Sequence, residues 1–351
     1  VAIMPDAHVG YGMPIGGVAA AVEVVIPNAV GVDIGCGVAA CRTSLAGLDG
    51  ASLKRLLGEV RRHIPLGFQH HKQPQPHSRM PEIDAGEDSG ELAVVEAEYE
   101  SGRLQLGTLG GGNHFIEVQG GDDGFLWLMI HSGSRNLGYR VANHYNRIAA
   151  QATGRHKLFP LSWQLDYLTV DSGEGRSYLR EMEYCVRFAA ANRRAMMDRV
   201  QELLADLQPG VEFTAFYDVA HNYAAVEEHF GRRVVVHRKG ATRAAAGDIG
   251  LIPGSQGSHS YVVRGLGNAE SFSSCSHGAG RRLGRKQAQR QLDLRAEIAR
   301  LEERGILHAL RHRKDLEEAA GAYKDIDEVM AHQQDLVRVV TTLHPLAVVK
   351  G

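Results

Sequence analysis

Aromatic side chains make up only 6% of this 351-residue chain, and cysteine is scarcer still, with four in total. Cys36, Cys41, Cys185 and Cys275 are scattered and form no CxxC pair, which excludes a disulfide scaffold and a zinc ribbon and points to a reducing, cytoplasmic setting. Long apolar runs are also missing. The stretch from Val18 to Ile26 contains Glu23 and falls well short of the ~20 residues that cross a bilayer, so no membrane span is expected. Nor does either charge dominate: 39 basic against 41 acidic residues leave a net charge of -2. That balance excludes a globally basic nucleic-acid coat and a strongly acidic tail, so any polyanion site must be local. What the chain does have is 18 histidines, 41 glycines and enough apolar residues, 44%, for a large core. Histidine and glycine together suggest metal ligands carried on tight loops.

The organisation reads as strands interleaved with helices. Strands are expected near Val18–Ile26, Val30–Arg42, Leu106–Val118, Phe125–Ile130, Val211–Tyr217, Val234–His237 and Tyr261–Val263, each next to glycine or turn residues. Apolar residues at three- and four-residue steps from Leu179 to Leu204 predict a long amphipathic helix over 177–207. Residues 68–90 read as a polar surface loop, 285–320 as a charged helical region, and Tyr323–Val340 as helical again. The expected fold class is α+β: a single compact domain over 1–351, with layered mixed sheets and flanking helices.

The chemistry gathers on a few short motifs. In VGVDIGCG (30–37), Asp33 and Cys36 lie three apart among Gly31, Gly35 and Gly37, whose freedom lets the backbone aim both side chains at one point. Taken alone, this is better read as a buried cysteine beside a turn aspartate. Three histidines shift the balance: His114 after Gly110-Gly111-Gly112-Asn113, His131 at the end of an apolar strand, and His221 in DVAHN (218–222). One Asp, one Cys and three His form a mixed donor set suited to manganese, iron, cobalt or zinc. Five donors exceed what a closed structural zinc requires, so the set implies one open-sided ion or two ions sharing a ligand. Cys36 is the natural bridge, because a thiolate sulfur can donate to both.

Anion-binding elements accompany these ligands. GTLGGGNHF (107–115) and GSQGSHSY (254–261) are turns whose N–H groups can converge on phosphate oxygens, although neither is a GxxxxGK[ST] loop. Two blocks, Gly231–Ala246 and Gly278–Leu292, each carry five positive charges and no acid. The first includes Arg238 and Lys239 and the second Arg281 and Arg285; both blocks suit phosphate-backbone contacts. In SSCSHGAGR (273–281), His277 precedes Gly278-Ala279-Gly280, which lets a phosphate approach its ring. His277 can be a sixth ligand or a nucleophile that forms a phosphoramidate. Position in the sequence does not choose between them.

This series of motifs resembles the RtcB family, the GTP-dependent RNA-splicing ligases. The resemblance runs from MPDAHVGYGMPIGG (4–17) through VGVDIGCG, GTLGGGNHFIEV, IHSGSRNLG, DVAHN, HRKGATRA, GSQGSHSY and SSCSHGAGR to AYKDIDEVM (322–330) and VVKG (348–351). It implies that Asp33, Cys36, His114, His131 and His221 hold two manganese ions and that His277 is the guanylylated residue. Asn113, Glu117, Ser255, Tyr323 and Lys350 would surround the guanine nucleotide with Gly278, Ala279 and Gly280, while Lys239, Arg238, Arg281 and Arg285 would meet phosphate or RNA. Asp6 lies in the opening motif.

The activity implied is joining of RNA 3′-phosphate or 2′,3′-cyclic phosphate ends to 5′-hydroxyl ends, in tRNA splicing or RNA repair. GTP would be a substrate and an archease-type activator a partner. The family carries more sequence before the MPD motif, so a segment is expected ahead of Val1. At Gly284 and Gln256 the chain departs from the family pattern, which has serine and methionine there. Two rival classes remain: a manganese-dependent guanylyl-capping enzyme or phosphoesterase that never joins ends, and an inactive RNA-binding homologue.

Overall fold

A computed structural model describes residues 1–83, 92–154 and 160–351. The expected α+β fold class is what it shows. Among the described residues, seven α-helices are interspersed with the strands: α1 (Gly50–His63), α2 (Ala93–Gln105), α3 (Arg135–Gly154), α4 (Gly173–Leu207), α5 (Arg285–Gln291), α6 (Leu294–Glu303) and α7 (Ile326–Ala331).

The central sheet has seven strands in the order Ile249–Ile252, Ser260–Gly265, Val337–Lys350, Phe115–Gly121, Leu126–Ser132, Gly37–Thr43, Phe213–Ala220, each neighbouring pair antiparallel. Side chains alternate between its faces, as the pleat requires. Ala39 and Cys41 join Ile116, Leu128 and Ile130 beneath α1 and α4, where Leu56, Val60, Met197, Val200 and Leu204 complete a core. Val38 and Ala40 face the other way and pack with Met129, Leu251, Val262 and Val348. The sheet curls, so that its edge strand Ile249–Ile252 approaches Gly37–Thr43 and Phe213–Ala220. A second antiparallel sheet, of four strands, runs in the order Ala2–His8, Ile15–Ala21, Arg232–Lys239, Asn222–His229.

The long helix predicted over 177–207 extends one turn earlier, because Ser172 caps it by accepting from the Gly175 amide at 3.0 Å. Other expectations need correction. Val30–Cys36 and Leu106–His114 are turns, and the strands begin only at Gly37 and Phe115; Gly31, Gly35, Gly110 and Gly112 take positive φ and break the ladder. The charged region 285–320 is helical only in pieces, as α5, α6 and a 3-10 turn over Arg313–Glu318. The helix expected to Val340 ends at Ala331, and Val337–Lys350 is a strand held between two partners in the central sheet. Of the polar loop 68–90, residues 84–90 lie outside the described residues, and the rest is irregular apart from a turn at His77–Arg79. No helix among the described residues is long and apolar enough to cross a membrane.

Candidate metal centre and nucleotide cavity

One rim of the central sheet collects the chemistry. Gly37 pairs with Ser132 and with Ala220, His131 with Phe115, and Phe115 with Lys350, so these strand ends lie side by side. Cys36, His114 and His221 are the residues immediately beyond those ends, and His131 is the next-to-last residue of its own strand. His221 also begins the connection into the four-stranded sheet, whose last pairing sets Lys239 beside Asn222. Asp33 reaches the cluster across Gly133, where a Cβ would lie 2.3 Å from Asp33 Oδ1; only glycine permits that approach.

The five expected ligands come together as two triads that share Cys36. One is Cys36, His131 and His221; the other is Asp33, Cys36 and His114, with ligand atoms in each triad within 4.8 Å of one another. Cys36 Sγ lies 3.2 Å from His131 Nε2 and 3.6 Å from His114 Nε2. His114 Nε2 is 3.2 Å from Asp33 Oδ2, and the Nε2 atoms of His131 and His221 are 3.4 Å apart.

The proton arrangement tests whether a cation fits. His131 donates its Nδ1–H group to the Asn113 carbonyl (3.1 Å), which leaves a lone pair on its Nε2, while His114 reaches the Leu109 carbonyl (2.9 Å) through Nδ1 and Asp33 (3.2 Å) through Nε2. Burial, with neighbouring histidines, holds the His131 and His221 rings well below their usual range, hence neutral. Burial raises the Asp33 carboxyl, but hydrogen bonding and charge from His114 outweigh it and hold the group at about 2. The His131 lone pair and the Asp33 carboxylate both lie against the Cys36 thiol. Burial and the Asp33 charge push the Cys36 thiol well up, so a thiolate there needs a cation beside it. This N, O and S donor set fits a divalent transition metal.

A cavity of about 1450 Å³ opens over the cluster. His277 lines it with its ring 4.8 Å from that of His221. The fully buried Asp6 accepts from His277 Nδ1 at 2.6 Å and from its backbone amide at 3.0 Å. The sequence left Asp6 without a firm role; here it accepts from Nδ1, so the neutral His277 ring carries its lone pair on Nε2.

Asn113, Glu117, Ser255, Tyr323 and Lys350 line the same cavity. Burial pushes the Glu117 carboxyl up to about 8, against a hydrogen bond from Gln119 and the charge of Lys350. Burial lowers Lys350, opposed by Glu318 and Glu117. Tyr323 donates its hydroxyl to Glu318, and the Arg281 guanidinium lies 5.1 Å over its ring. Glu318, which the sequence did not single out, also pairs with Arg281 at 3.1 Å and Arg285 at 3.2 Å.

Several expected phosphate contacts are placed otherwise. Arg238 is fully buried and its guanidinium is taken up by Glu227, Ser274 and the Phe272 carbonyl, so it does not reach the surface. Its counter-charge lies on the adjacent strand, outside the acid-free run. Lys239 does line the cavity; burial lowers it to about 8, and it donates to the carbonyls of Asn28 (2.9 Å) and Tyr11. Gly278, Ala279 and Gly280 line the cavity too, but the Gly278 amide is directed to Asp6 and that of Ala279 to Pro253. Gly107 and Thr108 donate their amides to Asn192 of α4 and Leu109 donates to Pro65, while Gly254, Ser255 and Gly257 donate to serines of their own turn.

A family described as tRNA-splicing ligase RtcB matches residues 1–351. The chain belongs to the RtcB family. It is 38% identical to the RNA-splicing ligase RtcB of Escherichia coli K12 over all of this chain and 90% of that protein. It is 36% identical to the RNA-splicing ligase RtcB of Mycobacterium tuberculosis, over 99% of this chain and 96% of that protein. It is 37% identical to the tRNA-splicing ligase RtcB of Thermococcus kodakarensis, over 99% and 87% respectively. RtcB relatives thus span bacteria and archaea over nearly the full length of this chain, and the rim of donors described above lies inside the matched region.

Proposed function

We propose that this chain is an RNA ligase that uses GTP to join a 3′-phosphate or 2′,3′-cyclic phosphate end to a 5′-hydroxyl end, in tRNA splicing or RNA repair. The observation that carries the reading is the 2.6 Å contact from His277 Nδ1 to Asp6, which leaves Nε2 as the ring's lone-pair nitrogen beside the donor cluster. Two manganese ions, held by Asp33, Cys36, His114, His131 and His221 with Cys36 bridging, would neutralise phosphate oxygens.

His277 Nε2 attacks the α-phosphorus of GTP; an N–P bond forms, the α–β P–O bond breaks, and pyrophosphate leaves. The Asp6 carboxylate stabilises the positive charge that develops on the ring. An oxygen of the RNA 3′-phosphate, formed from a 2′,3′-cyclic end by adding water and breaking the P–O2′ bond, then displaces His277 from the guanylyl phosphorus, leaving the RNA end capped through a pyrophosphate to GMP. Attack by the 5′-hydroxyl closes the 3′,5′-phosphodiester and expels GMP. Glu117 would accept from the guanine N1 and N2 hydrogens and Lys350 would donate to O6, with Asn113, Ser255 and Tyr323 around them. Lys239, Arg281 and Arg285 supply positive charge along the phosphates.

Incubation with manganese and α-labelled GTP is expected to leave acid-labile label on His277. Full labelling of His277→Ala would remove this assignment. Mixing 3′-phosphate and 5′-hydroxyl RNAs should give a lengthened product, which capping or hydrolysis alone cannot. A cytoplasmic setting goes with this reading and with four unpaired, buried cysteines.

A further inference from the structure

The proposed nucleotide contacts, Glu117, Ser255, Tyr323 and Lys350, make up only part of the cavity lining. The lining also includes the hairpin loop between Ala2–His8 and Ile15–Ala21, with Asn28 and Val32. The loop bears Tyr11, 81% exposed, and Val9, 95% exposed, and Val32, at 47%, lines the same cavity. Exposed apolar residues are ordinary when scattered. Three lining one cavity, including an aromatic, are different, and the proposed mechanism uses none of them.

The loop is also rigidly made. Gly12 takes φ +71, where a Cβ would lie 2.9 Å from the Gln164 carbonyl oxygen and 3.0 Å from Asn28 Cβ. The Tyr11 carbonyl accepts from the Met13 amide at 2.9 Å and from the Lys239 ammonium. The main chain of Tyr11 is thus pinned from both sides while its ring stands in solvent. Its placement follows from the strand that precedes it, since Asp6, His8 and Tyr11 are consecutive features of one hairpin and the His8 ring stacks 6.3 Å from that of His277.

We propose that Tyr11, which lines the same cavity as His277, is a stacking platform for an unpaired terminal base of the RNA, seating the end beside His277. Aromatic rings held out on fixed backbone accept any base face, so the contact positions an end without reading its sequence. Lys239, whose side chain ties this loop to the cavity floor, carries positive charge toward the adjoining phosphate. The inference rests on the ligase reading and adds the residue that receives the RNA.

The test measures equilibrium binding of two short single-stranded RNAs, one ending in a 3′-phosphate and one in a 5′-hydroxyl, each also made with an abasic terminal nucleotide. Tyr11→Ala is expected to weaken binding of one of them roughly tenfold, while Tyr11→Phe stays within about twofold of wild type. Removing that RNA's terminal base should weaken wild type by the same factor and leave Tyr11→Ala unaffected; which strand responds identifies the end. Unchanged binding of both RNAs by Tyr11→Ala overturns the platform, and so does a loss that is equal on intact and abasic RNA. Loss of His277 labelling in Tyr11→Ala would also overturn it, since the side chain would then serve the loop. Failure of the wild-type protein to join RNA ends sinks the ligase reading instead, and the binding comparison still decides the platform.

Discussion

Arg193 and Asp218 form a two-pronged ion pair inside the molecule, Nε to Oδ2 at 2.9 Å and Nη2 to Oδ1 at 2.5 Å. The remaining arm of the guanidinium donates to the carbonyls of Gly35 (2.9 Å) and Ser132 (3.0 Å). One side chain of α4 therefore ties down the turn carrying Asp33 and Cys36, the strand end carrying His131, and the strand that leads into His221. Lysine keeps the charge but not the fork. Arg193→Lys is expected to weaken manganese binding about 10- to 100-fold, read by metal titration. Arg193→Met leaves Asp218 and two carbonyls unpaired and should cost about 3 kcal/mol of stability in chemical denaturation. Wild-type metal affinity in Arg193→Lys would show that the clamp does not position the ligands.

Cys36 is common to both donor triads. If its sulfur bridges two ions, its removal damages both sites, whereas loss of a ligand to one ion spares the other. Cys36→Ala is expected to fall from two bound manganese ions to none at concentrations that saturate wild type, and to lose His277 labelling with them. His221→Ala should retain the ion held by Asp33, Cys36 and His114. Metal counting on the purified variants checks both, and two ions on Cys36→Ala would rule out the bridge.

The five residues that cluster as candidate ligands were legible because each stands where glycine or a strand end interrupts a periodic run, and such interruptions are visible in sequence. The supports behind them were not. Asn192 and Arg193 lie on the buried face of α4, where apolar spacing defines the helix and polar residues at the same spacing read as surface; both are fully buried, and Asn192 bonds Gly107, Thr108, Ser132 and Gly133. Arg238 misled for the complementary reason. A run without acids looks exposed, but its strand lies between two others, and Glu227 reaches it from the neighbouring strand. Local composition cannot register a partner supplied by sheet pairing. The same pairing turned Val337–Val340 from an expected helix into a strand.

If Glu117 holds the guanine edge as proposed, nucleotide binding depends on pH. Its carboxyl is pushed up to about 8 by burial, so near neutrality the empty site holds a proton. A guanine edge offers two N–H donors and needs the carboxylate, so binding must expel that proton. Affinity for guanosine nucleotides is therefore expected to rise about tenfold from pH 6 to 7 and to level off above about 8. Glu117→Gln should bind more weakly and lose the slope. The same shift has a stability consequence of opposite direction: between its ordinary 4.5 and about 8 the folded protein keeps a proton that the unfolded chain releases, so this group's contribution to stability falls as pH rises. Nucleotide titrations across pH decide the point, and a flat profile would separate Glu117 from the guanine edge.

The RNA must continue beyond the cavity, and charge marks where. Lys286 and Arg290 line the cavity and also a shallow groove of about 450 Å³ completed by Gln289, Arg313 and Lys314. Arg313 is held there by donating to the Gln289 carbonyl at 2.7 Å, which fixes the 3-10 turn against α5. Four cations along one track, in a chain of net charge -2, give a local attraction that composition alone conceals. Each phosphate contact made to single-stranded RNA releases counterions and adds roughly 0.7 to the slope of log affinity against log salt. Replacing Arg290 and Lys314 together by alanine should flatten that slope by roughly 1.4 and weaken binding alike for RNAs of different sequence, while His277 labelling by GTP continues at the wild-type rate. Binding measured at several salt concentrations tests this directly: an unchanged slope means the strand leaves the cavity by another path, and a loss confined to certain sequences means the groove reads bases rather than backbone.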